Sequence, residues 1–185
     1  MLKTQGLLRH TICLIMGMLL FCSVRAHEGQ AALVLDHGPL AKPTGAVILT
    51  VGGLVGRTNI YKQAQFDLAM LQALPASTVY TSTVVTDGVK RFDGVLVRDV
   101  LNVLSPSPQS QKVEAIALND YLVEIPFSDF YDYDVLLATH MDGVLLTPID
   151  KGPIWIVYPR DSVRKLQDIR YDYRWVWQLK HLHIR

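Results

Sequence analysis

The chain has 185 residues, 50% of them apolar and 19% charged, with a formal net charge of +1. That is enough for one domain with a proper core, and so balanced a charge gives no electrostatic case for binding nucleic acid. The only cysteines are Cys13 and Cys22, which excludes a disulfide framework and a cysteine metal site from everything downstream.

Residues 1–26 have a short basic start with Lys3 and Arg9, then the apolar run TICLIMGMLLFCSV, then Val24-Arg25-Ala26. Charged, apolar, then small at −3 and −1 is the order of a secretory signal peptide. The run is too short for a comfortable membrane span, and an uncleaved N-terminal anchor is the alternative. Cleavage after Ala26 removes three of 18 basic residues, none of 17 acids and both cysteines, leaving 15 basic against 17 acidic groups. The expected product is periplasmic or secreted, with no membrane span after cleavage.

Residues 27–43 form a lead-in that ends at a proline, and the domain is expected over 44–185. AVILTVGGLVG (46–56) is β-branched and ends in glycines, which predicts a buried strand and turn. FDLAMLQALP (66–75) predicts a short helix capped by Asp67, striped by Leu68, Met70, Leu71 and Leu74 and stopped by Pro75. STVYTST (77–83) predicts a strand. Phe92-Asp93-Gly94-Val95 reads as a turn that launches a helix over 95–105, with Leu96, Val100, Val103 and Leu104 on one face. Residues 105–111 predict a loop.

KVEAIAL (112–118) and YLVEIP (121–126) predict two strands joined at Asn119-Asp120. VLLATHM (135–141) predicts a strand closed by Asp142-Gly143. GPIWIVYP (152–159) predicts a buried strand. RWVWQLKHLHIR (174–185) alternates, which predicts Trp175, Trp177, Leu179, His181 and His183 on one face of a strand, and Val176, Gln178, Lys180, Leu182 and Ile184 on the other. Many strands with a few short helices and no regular βα alternation point to an α+β domain.

The units ILTVGGLVGR, TSTVVTDGVKRFDGVLVRDVL, VEAIALNDYLVEIP, DVLLATHMDGVLL, GPIWIVYP and WVWQLKHLHI, in this order, resemble the molybdopterin-binding domain of the sulfite oxidase family. The resemblance covers about 44–184 and implies a single α+β domain of mixed sheets with a few short helices. In that family a cysteine thiolate binds the molybdenum of a pterin cofactor, in a segment like H-C-V-x-G. The matching stretch here is Ser82 to Gly88, and the cysteine's place falls near Thr83 or Val84. A neutral hydroxyl or a hydrocarbon does not replace a soft anionic thiolate. Lys90, Arg91, Lys151, Arg160 and Arg174 are what the resemblance offers for the family's phosphate- and substrate-binding cations. The residues it implies for cofactor contact are Thr83, Asn119, Lys151, Arg160 and Arg174, with no catalytic residue and no metal ligand assigned.

Other groupings have two readings. Thr81-Ser82-Thr83 with Thr86-Asp87 is a pocket lining or a hydroxyl-rich strand edge. Asn119-Asp120-Tyr121 presents polar groups to a ligand or is a plain hairpin turn. Tyr131 to Asp134 is a partner surface or a solvated loop with half-packed tyrosines. His181-x-His183 is a metal pair lacking a third ligand, or two histidines at a strand end, and His27 at a new N-terminus is a copper chelator or nothing. Trp155, Trp177 and Trp175 are core residues or a stacking platform. The expectation is an exported accessory or sensory module that binds a small ligand or a membrane signalling or redox partner protein, without molybdenum redox activity and with no cofactor. The alternative is a periplasmic oxidoreductase subunit that holds a molybdopterin without a protein thiolate.

Overall fold

A computed structural model describes residues 39–185. The expected leader at 1–26, His27 and the first part of the lead-in lie outside the described residues.

Two five-stranded sheets share one hydrophobic core. The first has the order β2-β1-β10-β5-β6, from β1 (Val47–Gly53), β2 (Ala64–Asp67), β5 (Lys112–Ala117), β6 (Leu122–Pro126) and β10 (Leu179–Ile184). Its strands β1 and β10 run parallel, and its other pairs are antiparallel. The second has the order β3-β4-β7-β8 with β9 also on β7, from β3 (Ala76–Ser82), β4 (Val89–Leu96), β7 (Leu136–Met141), β8 (Val144–Leu145) and β9 (Trp155–Val157). All of its pairs are antiparallel. The α+β, mixed-sheet architecture is the one the sequence implied.

Alternation explains the first sheet. Val113, Ala115 and Ala117 of β5 and Val123 and Ile125 of β6 are buried, while the residues between them face out. The Asn119-Asp120 turn forms as expected, with Asp120 at φ +64, and Asp142-Gly143 turns β7 into β8 with both residues at positive φ. β9 is buried on both faces, as its unbroken apolar run requires.

Three expectations need correction. The helix expected over 66–75 is α1 (Leu68–Gln72), because Phe66 and Asp67 belong to the short strand β2. Asp67 does cap it, accepting from the Met70 N–H at 2.8 Å, and also from the N–H groups of Thr44 and Gly45, each at 2.8 Å. Phe92-Asp93-Gly94-Val95 is strand rather than turn, and α2 (Val97–Leu104) begins only after it, burying Val97, Val100, Leu101 and Leu104. The β4–β7 register shifts between Asp93 and Gly94, and a bulge there gave the sequence its turn-like look. The strand expected over 174–185 is only β10, since Arg174 closes a 3₁₀ turn and Gln178 sits at φ +53. A second register shift, between Leu179 and His181, puts Leu179 with Leu182 and Ile184 on the buried side and leaves His181 and His183 outside.

Gly94 is where the second sheet closes most tightly: a Cβ there would lie 2.0 Å from the Leu137 carbonyl oxygen. Gly94→Ala is expected to lower the free energy of unfolding by about 2–3 kcal/mol, since the bulged strand must move off β7. Urea unfolding followed by circular dichroism measures this, and an unchanged midpoint refutes it.

Candidate functional site

The stretch that follows β3 is laced to the chain just beyond β9. The backbone N–H of Ser82 donates to Asp161 Oδ2 at 2.6 Å, and its hydroxyl donates to Asp161 Oδ1 at 2.7 Å. Arg160 Nη1 donates to Ser82 Oγ at 3.3 Å, and the Asp161 N–H donates to Thr81 Oγ1 at 3.2 Å. Thr83 is buried, its Oγ1 lies 2.8 Å from Thr86 Oγ1, and it accepts from the Val85 N–H at 3.1 Å. Val84 is exposed. Thr83 and Arg160 are thus brought to one neighbourhood through Ser82, with the hydroxyls spent on holding the turn.

A second cluster lies along the same crossing. Asp129 is the first residue of α3 (Asp129–Asp132) and is buried. It accepts from the hydroxyl of fully buried Tyr158 at 2.9 Å and from Arg174 Nη1. Burial first, and then the Asp129 charge, push the Tyr158 phenol well above its ordinary pKa. Arg174 is the reverse case: burial opposes its charge, but hydrogen bonds that it donates to Tyr173 and Asp129, with the Asp129 charge, outweigh that and raise its pKa. Its guanidinium lies over the Tyr171 ring at 4.5 Å.

Arg174 also lines an open cleft of about 570 Å³ with Arg164, Lys165, Asp168, Arg170 and Tyr171. The cleft rests on two 3₁₀ turns, Arg164–Gln167 and Ile169–Arg174, and sequence reasoning named only Arg174 of its cations. The missed signal was the run of basic residues at 160, 164, 165, 170 and 174, which has neither helical nor strand spacing. Arg160 Nε, Arg174 Nε and Trp175 Nε1 are buried and have no hydrogen-bond acceptor.

Asn119 and Lys151 are placed elsewhere. The Asn119 side chain accepts from the Tyr121 N–H at 3.1 Å and so closes its own turn. Lys151 pairs with Asp150 at 2.8 Å and lies over the Trp155 ring at 5.7 Å. Gln178 links the two segments, donating to the Lys151 carbonyl and accepting from the Leu118 N–H. Trp155 is core and Trp175 nearly so, while Trp177 is 40% exposed. Tyr133 is half-packed against Tyr158 and Tyr171. His181 and His183 stack at 6.1 Å on the outer face of the first sheet, and among the described residues no three histidine or acidic side chains gather in a way that could hold a metal ion.

Three outcomes follow from these contacts. Thr83→Val leaves the Val85 N–H and the Thr86 hydroxyl without their Thr83 partner and should cost about 1 kcal/mol in urea unfolding. Asp129→Ala leaves Arg174 unpaired and should cost about 2–3 kcal/mol by the same measurement, the low end for a buried pair because the open cleft keeps Arg174 partly wet. Burial, then His183 and Lys180, hold the His181 pKa below its ordinary 6.5. The unfolded chain therefore takes up the proton first, and stability present above 6.5 is lost as pH falls through the lower folded value. The urea midpoint of His181→Gln should fall less steeply below that pH than the parent's, and parallel curves would refute the assignment.

No curated protein matches the sequence. Among solved structures the chain is similar to the sulfane dehydrogenase SoxCD from Paracoccus pantotrophus, with a TM-score of 0.56 and 19% identity, covering 74% of this chain and 37% of that one. That likeness speaks for the fold alone. The family model described as the oxidoreductase molybdopterin binding domain matches residues 48–171, from β1 into the second 3₁₀ turn. By that match this chain belongs to the oxidoreductase molybdopterin-binding domain family.

Proposed function

We propose that this chain is an exported binding module that uses the molybdopterin-binding fold without thiolate-ligated molybdenum chemistry. It binds a small ligand, or serves as an accessory or sensory partner of a membrane signalling or redox protein. The observation that carries this reading is Thr83. At the place where the resemblance puts the family's metal-binding sulfur stands a buried hydroxyl, already engaged by Thr86 and the Val85 N–H. The neighbouring candidate, Val84, has no ligand atom, and residues 39–185 contain no cysteine. These side chains do not fit a molybdenum centre held by the protein, so no redox step is derived through one. The proposed export rests on the 1–26 pattern.

One observation favours a second reading, in which a molybdopterin is held without a protein ligand to its metal. The cleft at 164–174 is rich in cations, and Arg174 keeps a donor without an acceptor, which suits an anionic ligand. Elemental analysis of the chain, purified from a host that makes the pterin cofactor, separates the two. The proposed function expects molybdenum far below one atom per chain and no pterin fluorescence after oxidation. Stoichiometric molybdenum in the folded protein would overturn it.

A further inference from the structure

β10 is the central strand of the first sheet, flanked by β1 and β5. His181 and His183 are therefore held by strand pairing on both sides. His183 lies in register with Gly52 of β1 and Glu114 of β5, and His181 with Thr50 and Ile116. Both side chains stand half-buried on the outer face, with ring centroids 6.1 Å apart and planes 18° from parallel. Neither imidazole makes a hydrogen bond among the described residues. The charged groups beside them are already paired: Lys180 reaches Asp120 at 2.7 Å, and Arg185 reaches Glu114 at 2.9 Å.

The two glycines at the end of β1 differ in what they allow. Gly53 sits at φ +87, and a Cβ there would lie 2.1 Å from the Ile184 carbonyl oxygen, so the backbone itself requires glycine. Gly52 is under no such demand, since a Cβ there would keep ordinary contact distances. Its nearest atoms would be His183 Nδ1 at 3.6 Å and His181 Cε1 and Nε2, each at 3.7 Å. One ring nitrogen of each histidine thus borders the same small space, and Gly52 keeps a side chain out of it. Two imidazole nitrogens with no protein partner, facing one space from a rigid strand, are arranged as a chelate.

We propose that His181 and His183 form a two-nitrogen site for a late first-row divalent cation above Gly52, with copper(II) held most tightly. The donor set selects the class. Imidazole suits copper, nickel and zinc, whereas magnesium and calcium take oxygen ligands, and the general affinity order puts copper(II) first. Metal–imidazole bonds of about 2.0–2.1 Å bring the two nitrogens to within about 4 Å of each other, so the rings tilt together over Gly52 as the ion enters. The protein supplies two ligands and no third. Water fills the remaining positions, which makes the ion exchangeable and not a structural one. The site uses none of the residues of the crossing or of the 81–88 segment, and it stands or falls apart from the proposed function.

The test is calorimetric titration of the untagged whole chain with copper(II), nickel(II), zinc(II) and magnesium chlorides, with the copper form examined by electron paramagnetic resonance. The parent should bind one more copper(II) per chain than the double variant His181→Gln with His183→Gln, a difference in which ions held elsewhere cancel. Either single substitution should weaken this site about a hundredfold, because the second nitrogen no longer acts at high effective concentration. Gly52→Ala keeps both histidines and should weaken it about tenfold, because its methyl group occupies the space on which the rings close. The parent spectrum should show coupling to two imidazole nitrogens at this site, and each single variant to one. Circular dichroism checks folding, and Gly52→Ala reads the site even where the double variant fails to fold. The site is overturned if the folded double variant binds copper(II) with the stoichiometry and affinity of the parent, or if magnesium competes with copper(II). An isotherm for Gly52→Ala that superimposes on the parent's overturns the placement above Gly52, and coupling to a single nitrogen in the parent overturns the chelate.

Discussion

The constraint on which this domain depends is that β9 lies in the second sheet and β10 in the middle of the first. The chain between them has to cross from one sheet to the other, and it does so under close control at both ends. The Ile156 N–H donates to the Val176 carbonyl, and the Leu179 N–H donates to the Ile154 carbonyl, each at 2.9 Å. The crossing thus folds back on the strand it left. Of its middle only Leu166 reaches the core, which the strands and α2 otherwise fill. It runs over the surface as two 3₁₀ turns and carries its basic residues there. The cleft results from this topology, and no extra element was added to build it.

A crossing pinned only by backbone bonds at its ends would still be free to slide over the core. Asp129 removes that freedom. A carboxylate this deep is tolerated when donors meet it, since burying a charge costs several kcal/mol otherwise. Its donors are Tyr158, where the crossing begins, and Arg174, where it ends, so one buried charge fixes both ends against α3. The tilted packing of Tyr158 on Trp175 and the edge-to-face contact of Tyr133 with Tyr171 add shape to that attachment. An apolar residue at 129 would pack, but it would set no direction for Arg174.

The strands with clean alternation or unbroken apolar runs were legible in the sequence, as β5, β6 and β9 show, and so was the Asp67 cap. Both register shifts were hidden. The bulge at Asp93-Gly94 imitates a turn, and the one after Leu179 exchanges which face is buried, because a shift of one residue reverses every side chain beyond it. The four-residue β2 is too short to show a period. Thr83 and Arg160 were named through the resemblance, and Ser82, next to Thr83 in the chain, accepts from Arg160. The cleft was not legible, because 3₁₀ turns place residues by their connections and not by a period that hydrophobicity marks. Nothing in the neighbours of Asp129 announced a buried charge.

The two sides of the crossing treat their polar groups in opposite ways. At 81–83 and 160–161 the hydroxyls, the Asp161 carboxylate and the turn amides satisfy one another, and only Arg160 Nε is left without an acceptor. At 164–174 like charges stand together beside a donor that has no acceptor. The first arrangement is what stability alone favours. The second works against stability, because unmatched cations repel and an unpaired buried N–H is costly. Exposed Arg164 and Lys165 could disperse into solvent without harm to the core, but Arg174 is held in place by Asp129 and cannot. A rigid arginine beneath exposed cations therefore keeps positive charge together on the crossing, where stability alone would have paired or dispersed it.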